Sequence, residues 1–309
     1  MKEQMTGALF GIAIGDALGV PVEFLPRDTY PSVTEMQGYG THNKPPGTWS
    51  DDSSMTFCLT ESLCSGFNIE DMKEKFCDWL YDGYWTHDGK DAFDVGITTS
   101  AVLVSIKAGT APVESGERDE RSNGNGSLMR ILPLVFYVKD MDAPTRFLHI
   151  EAASGVTHAH LRSKIACGIY VEMALQLLKG KTIQAAYEAM KPVIIEHYFP
   201  TQTEPEWVHF ERILQDDVGQ LHRDEVKSSG YVIDTLEASL WCLLTTNNFQ
   251  DAVLTSVNLG EDTDTIGAVT GGLAGLYYGV ESIPSTWLQV LARKEDIEDL
   301  CERFSKSFL

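Results

Sequence analysis

Gly7, Gly11, Gly15 and Gly19 recur at every fourth position within the apolar run GALFGIAIGDALG. In a helix that spacing stacks all four on one face, and each costs about 1 kcal/mol of helix propensity against alanine. Something must offset that cost. A stripe without side chains lets another backbone approach closely, so the run predicts a central helix over about 4–19, buried along its glycine face. The spacing is neither the G-x-G-x-x-G of a dinucleotide loop nor the G-x-x-x-x-G-K of a phosphate loop, which leaves tight helix packing as its meaning.

Period-3.6 patterning continues along the chain and predicts further helices near 52–66, 69–82, 95–108, 145–157, 161–179, 182–196, 207–219, 231–245, 248–258, 264–279 and 294–307. A short strand is expected only around Ser32 to Met36. Gly109 and Gly180 stand where helices should end, and Asp52 and Thr182 where helices should begin. Pro- and Gly-rich or polar loops are expected at 26–50, 83–94, 110–127 and 197–206. No solenoid repeat and no low-complexity linker divides the chain. The expectation is therefore all-α, one compact domain over 1–309, with the polar loops carrying the chemistry.

Charge narrows the possible partners. With 24 basic against 45 acidic side chains the formal charge is −21, and basic pairs such as Arg118 with Arg121 or Arg293 with Lys294 are interrupted by acids, so no nucleic-acid partner is expected. No membrane partner is expected either, because the best candidate, Met5 to Val20, contains Asp16 and four glycines. The start of the chain lacks the small-residue cleavage site of a signal peptide. Six cysteines lie scattered among apolar helical residues with no C-x-x-C pair, which fits reduced core residues of a cytoplasmic protein.

Two strings concentrate hard oxygen ligands where helices begin: Thr48-Trp49-Ser50-Asp51-Asp52-Ser53-Ser54 and Gly260-Glu261-Asp262-Thr263-Asp264-Thr265-Ile266-Gly267. Either could be a helix cap, since Asp and Ser satisfy free backbone N–H groups and suit the helix dipole. A cap asks for one such residue, however, and each string offers three or four. Adjacent carboxylates repel by about 1 kcal/mol or more in partly buried surroundings unless a cation offsets it. Oxygen-only donors favour Mg²⁺, Mn²⁺ or Ca²⁺ over zinc, and the second string lacks the glycine and distal glutamate of an EF-hand loop. A binuclear Mg²⁺ site is the sharper reading. Elsewhere, Asp16 and Glu23 flank the end of the first helix, Asp94 opens the string DVGITT, and Asn123-Gly124-Asn125-Gly126-Ser127-Leu128-Met129-Arg130 offers N–H donors that suit an anion such as diphosphate, or simply a flexible loop.

Six motifs in order, GALFGIAIGDALGVPVEF at 7–24, GTWSDDSSMT at 47–56, DVGITTS at 94–100, NGNGSLMRILPL at 123–134, THAHLRS at 157–163 and GEDTDTIGAVTGGLAGLYYG at 260–279, resemble the motif set of the ADP-ribosylglycohydrolase family, which includes the dinitrogenase reductase-activating glycohydrolases. The resemblance spans residues 7–279. It implies a compact, orthogonally packed all-α domain with a two-Mg²⁺ cleft, Mn²⁺ being possible, that cleaves ADP-ribose from protein side chains or from small ADP-ribosyl compounds. Ser50, Asp51 and Asp52 resemble one half of the metal shell, and Asp262, Asp264 and Thr265 the other. Glu23 resembles the mobile glutamate near the scissile bond, and Asp94 the acid that recognises the modified group. Gly126, Ser127 and Met129 resemble the diphosphate loop, and His158 a ribose or phosphate contact. The family commonly has Thr where this chain has Ser50; the hydroxyl remains. The adenine-stacking aromatic is not placed by the motifs, although Tyr198, Phe199 and Trp207 lie near a plausible loop.

Such a site would activate water, stabilise charge at the anomeric carbon and assist the leaving group, with Glu23 moving a proton and Asp52 or a neighbour orienting the water. The expected activity is Mg²⁺-dependent hydrolysis by a monomer. The carboxylate of Asp94 favours arginine-linked ADP-ribose, because a guanidinium pairs well with it. The alternatives are a serine-linked or small ADP-ribosyl substrate, or a non-catalytic ADP-ribose-binding module, which would be expected to have lost several of these oxygen ligands.

Overall fold

The computed structural model describes residues 1–109 and 115–308, so 110–114 of the expected loop at 110–127 lie outside the described residues. In chain order the helices are α1 (Lys2–Gly19), α2 (Asp51–Leu63), α3 (Ile69–Asp82), α4 (Ile97–Lys107), α5 (Leu134–Val138), α6 (Ala143–Ser154), α7 (Leu161–Leu178), α8 (Ile183–Tyr198), α9 (Trp207–Gln215), α10 (Val232–Thr245), α11 (Phe249–Val257), α12 (Thr263–Tyr278), α13 (Ser285–Val290) and α14 (Lys294–Lys306). Among the described residues the chain is all-α. The strand expected at Ser32 to Met36 is not formed; that segment is irregular, and the described β-pairings are isolated bridges such as Tyr39 with Lys44.

The glycine stripe of α1 meets the second glycine-rich helix, α12. A methyl group placed on Gly7, Gly11 or Gly15 would stand 2.2, 2.1 or 1.9 Å from the carbonyl oxygens of Gly275, Gly271 and Gly267. The reverse holds as well: methyls on Gly275, Gly271 and Gly267 would meet the carbonyls of Gly7, Gly11 and Gly15 at 2.0, 2.1 and 2.3 Å. Residue numbers rise on one helix as they fall on the other, so the pair is antiparallel and the end of α1 meets the start of α12. Gly19 abuts Asp264 there, where an added methyl would lie 2.4 Å from the Asp264 Cα.

From Gly7 onward every residue of α1 is buried. By length and apolar character alone the segment Lys2–Val22 is long and apolar enough to cross a membrane, with a mean hydropathy of 1.5, which the sequence reading did not anticipate; 94% of its most apolar 18-residue window is buried inside the protein. The outer helices are amphipathic in the ordinary way. On α14 Ile297, Leu300, Cys301 and Phe304 are buried at spacings that share one face, and α3 buries Met72, Phe76 and Trp79 likewise. Each fully buried side chain of this size contributes about 1.5–3 kcal/mol.

Local signals account for most boundaries. Thr182 caps α8 by accepting from Ala185 N, and Gly109 and Gly180 follow α4 and α7 with φ of +68° and +80°. Asp52 is not the first residue of α2: Ser50 is its N-cap and Asp51 opens the helix, because the Ser50 hydroxyl can reach back to the Asp52 N–H. Helices α5 and α13 go beyond the sequence reading; each is too short to show a period, and α5 is apolar on every side. The six cysteines are all free, and five are buried.

Gly15→Ala should destabilise the protein by about 3 kcal/mol or more, since backbone rather than a flexible side chain blocks the methyl, whereas Gly96→Ala, whose methyl would lie 3.8 Å from Thr99 Oγ1, should change stability little. Urea unfolding of the two variants measures the contrast; equal midpoints would mean that the seam tolerates side chains.

Candidate active site

The C-terminal end of α1 collects both acidic strings. Asp16 sits in its last turn, fully buried. Its Oδ1 accepts from Ser50 N at 2.8 Å, and its Oδ2 accepts from Ser53 N at 3.0 Å and Ser53 Oγ at 2.5 Å. Those bonds satisfy free N–H groups at the start of α2 and fix it to α1. On the other side Thr263 Oγ1 donates to the Gly19 carbonyl at 2.9 Å, which fixes the start of α12. Thr265 Oγ1 then donates to Asp52 Oδ2 at 3.3 Å, joining the strings, and Ser50 Oγ donates to the same oxygen at 3.0 Å. Two helix N-termini thus face the cluster, and their dipoles favour negative charge.

The dipoles do not satisfy every oxygen. Asp52 Oδ1 and Asp264 Oδ2 are buried without a hydrogen-bond partner. Burial first, then the neighbouring charges, pushes the carboxyls of Asp51, Asp52 and Asp264 well above their ordinary range, and Asp16 is pushed up to about 7 by burial. Asp262 is raised by burial too, although Asn125 Nδ2 donates to its Oδ2 at 2.7 Å. Orphaned buried carboxylate oxygens beside hydroxyls, with no nitrogen or sulfur among the six clustered residues, are the donor set of a hard divalent cation. Glu23, Asp262 and Asp264 each bring an oxygen within 4.8 Å of the others'. These residues could hold a metal ion.

Glu23 follows the short turn Val20–Val22 that ends α1. It is 3% exposed, and burial pushes its pKa up to about 8, with Asp94 and Asp262 adding to the rise and the His42 hydrogen bond opposing it. His42 Nε2 contacts its carboxylate directly, and Thr41 Oγ1 donates to its carbonyl at 2.8 Å. Asp94, half-buried, sits at φ +55° just before α4. Glu23, His42 and Asp94 form a second group with ligand atoms within 4.8 Å of one another.

A cavity of about 760 Å³ opens onto this cluster, large enough for a dinucleotide-sized ligand. Of the sequence-assigned residues, Glu23, Asp51, Asp94, Gly126, Met129, His158, Asp262 and Thr265 line it. Ser50, Asp52 and Asp264 lie buried behind that wall, each 0–1% exposed. Ser127 is not brought to the cavity: its hydroxyl accepts from Ser154 Oγ at 2.9 Å and touches Cys167 Sγ at 3.5 Å. Gly126 needs to be glycine because a methyl there would stand 2.9 Å from the His158 ring and 3.1 Å from Thr99 Oγ1. His158 is buried and neutral, its pKa held at about 3 by burial and by Arg130. Arg130 donates to Thr157 Oγ1 at 2.8 Å, and Thr157 Oγ1 lies 2.8 Å from His158 Nδ1. With the Thr157 proton given to Nδ1, Nε2–H is left as a donor beside Gly124 and Gly126.

Tyr198, Phe199 and Trp207 do not line the cavity. Phe199 packs on Trp207 at 5.2 Å in the core, and Tyr198, half-buried against it, donates its hydroxyl to Glu151 at 2.9 Å. The sequence reading missed His42, Thr99, Arg121, Phe24 and Ile97, which sit at or beside the cavity. His42 lies nineteen residues beyond Glu23 in a short 3-10 turn, and no local pattern links them; among the described residues Arg121 is the one Lys or Arg that lines the cavity, and it was legible only as part of an interrupted basic pair.

The profile of the ADP-ribosylglycohydrolase family matches residues 1–308, and the chain belongs to that family; it is a hydrolytic enzyme. It is 35% identical to the ADP-ribosylarginine hydrolase Tri1 of Serratia proteamaculans over 97% of this chain and 78% of that protein. It is 31% identical to the ADP-ribosyl-[dinitrogen reductase] glycohydrolase of Rhodospirillum rubrum over 96% of this chain and 93% of that protein. A solved structure titled ADP-ribosylglycohydrolase-related protein complex superposes with a TM-score of 0.83 at 32% identity, covering 100% of this chain and 99% of the other.

The raised carboxyl pKa values set a pH dependence. A group whose pKa is higher folded than unfolded stabilises the fold at low pH, and that contribution is lost as pH rises through the folded pKa. With Asp16 near 7 and Glu23 near 8, cation-free protein should lose melting temperature between about pH 4 and 8. An added hard divalent cation should restore most at the upper end, and Asp52→Asn should flatten the loss. Thermal melts in chelator across that range test this; a flat profile for the wild-type chain would show that the buried acids are compensated within the protein.

Proposed function

We propose that this enzyme hydrolyses the N-glycosidic bond between ADP-ribose and an arginine guanidinium on a modified protein, and that it does so with two Mg²⁺ ions, Mn²⁺ being an alternative. The observation that carries the reading is the convergence of two acid-bearing helix starts, with orphaned oxygens on Asp52 and Asp264, beneath a cavity that also holds Glu23 and Asp94. The curated relatives named above act on ADP-ribosylarginine and on ADP-ribosylated dinitrogen reductase, which supports the arginine linkage here.

Ser50, Asp51 and Asp52 would hold one side of the metal centre and Asp262, Asp264 and Thr265 the other. When bound, such ions supply charge stabilisation for ribose hydroxyls and lower the pKa of bound water. The remaining steps belong to the chain. Glu23, buried at the cavity and bonded to His42, carries a proton to or from the reacting group, and His42 orients its carboxylate. Asp52, or its neighbour Asp51 on the cavity wall, orients the attacking water. Asp94 pairs with the guanidinium, holding the leaving group in place while the C–N bond breaks and water's oxygen takes its position at the anomeric carbon. The backbone around Gly124 and Gly126 and the Nε2–H of His158 hold the diphosphate and ribose.

Incubation with ADP-ribosyl-arginine and ADP-ribosyl-serine peptides, with Mg²⁺ or with chelator, and measurement of free ADP-ribose decides the linkage and the cation. Release from the arginine peptide with Mg²⁺ alone is expected; release from the serine peptide only, or undiminished release in chelator, would overturn the corresponding part. Glu23→Gln should lower kcat by about 10²- to 10⁴-fold with ADP-ribose still bound. Asp94→Asn should lower kcat/KM on the arginine substrate by about 10- to 150-fold and on the serine substrate far less. Equal small effects on both substrates would reduce Asp94 to a helix-start residue.

A further inference from the structure

Phe24 and Ile97 line the catalytic cavity and yet are 64% and 90% exposed. Scattered exposed apolar residues are ordinary, but these two flank the reacting end. Phe24 directly follows Glu23, and Ile97 opens α4 three residues after Asp94, with Val95 between them on the same wall. Phe24 is also held at φ +64°, a left-handed conformation that a bulky residue adopts only against steric resistance. Its N–H donates to the Glu261 carbonyl at 2.7 Å, and Glu261 N donates to the Leu25 carbonyl at 2.8 Å. That pair of hydrogen bonds to the residue beside Asp262 holds the backbone that carries the exposed ring at the cavity, 5.8 Å from His42.

The chemistry of the leaving group says what such a mouth would meet. Once the guanidinium lies against Asp94, an arginine side chain still has three methylenes to carry out of the cavity. The acids of the cavity offer those methylenes nothing, whereas two apolar side chains at the exit remove them from water. A serine linkage has a single methylene and would place peptide backbone at the same point. We infer that Phe24 and Ile97 form an apolar clamp on the methylene stem of the modified arginine, so that the enzyme reads the aliphatic chain behind the guanidinium as well as its charge. The clamp rests on the arginine reading proposed above.

The test compares two small substrates, ADP-ribosyl-agmatine, which carries a methylene stem, and ADP-ribosylguanidine, which has none. Their kcat/KM ratio on one preparation cancels differences in active fraction between variants. The ratio for the wild-type enzyme should be about 10 or more. It should fall towards 1 in the double variant Phe24→Ala with Ile97→Ala, and persist in the conservative pair Phe24→Leu with Ile97→Val. If both substrates are cleaved and the double alanine variant keeps the wild-type ratio, the clamp is wrong while the arginine reading stands. If the wild-type enzyme cleaves neither compound but releases ADP-ribose from a serine-linked peptide, the arginine reading falls and takes the clamp with it.

Discussion

The antiparallel contact of α1 with α12 is backbone against backbone, and most of what the protein can do follows from it. A side chain at Gly7, Gly11 or Gly15 would drive the helices apart, and separating them would move the start of α12 away from the end of α1. That junction is where Thr263 bonds Gly19 and where Thr265 reaches Asp52. The glycines give up helix propensity, and close packing of two apolar helices offsets it. In exchange the two acidic strings, more than two hundred residues apart in the chain, are held to hydrogen-bond precision.

Asp16 makes the same seam serve a third element. As the last buried polar group of α1 it caps the first turn of α2 through two backbone N–H groups and a serine hydroxyl. Its position inside an apolar helix is costly, as the rise of its pKa to about 7 shows. The cost fixes the carboxylate-bearing start of α2 to the buried helix α1. A site assembled on helix starts that are locked to a central helix is pre-organised before any ligand arrives, and the orphaned oxygens of Asp52 and Asp264 are the residue of that pre-organisation.

The outer wall of the cavity is built differently. Glu23, Phe24 and Asp94 lie between helices, with the short turn that carries His42 behind Glu23, and Phe24 and Asp94 both hold left-handed backbone. Strained, loop-borne groups at the reacting end and rigid helix-borne groups at the floor are what an enzyme needs if the cation and sugar are to be fixed while the leaving group is sampled. The wall near His158 is intermediate: Arg130 and Thr157 set the ring, and Gly126 leaves room for it.

The sequence by itself determined the all-helical class, the buried glycine helix, the two oxygen-rich helix starts and the family to which the chain belongs, because each rests on period, spacing or a contiguous motif that local physics makes readable. It also set most helix ends, through caps such as Thr182 and glycines such as Gly180. Tertiary structure alone decided which helix the glycine stripe would meet. It turned the Ser127 hydroxyl towards Ser154 and Cys167, away from the cavity, set Phe199 and Trp207 in the core, and gave Glu23 its partner His42. Those outcomes depend on contacts between residues far apart in sequence, and a side chain's direction at such a contact is fixed by packing around it. The same reason explains why α5 and α13 are invisible locally: five or six residues carry too little period of their own, and only their neighbours make them helices.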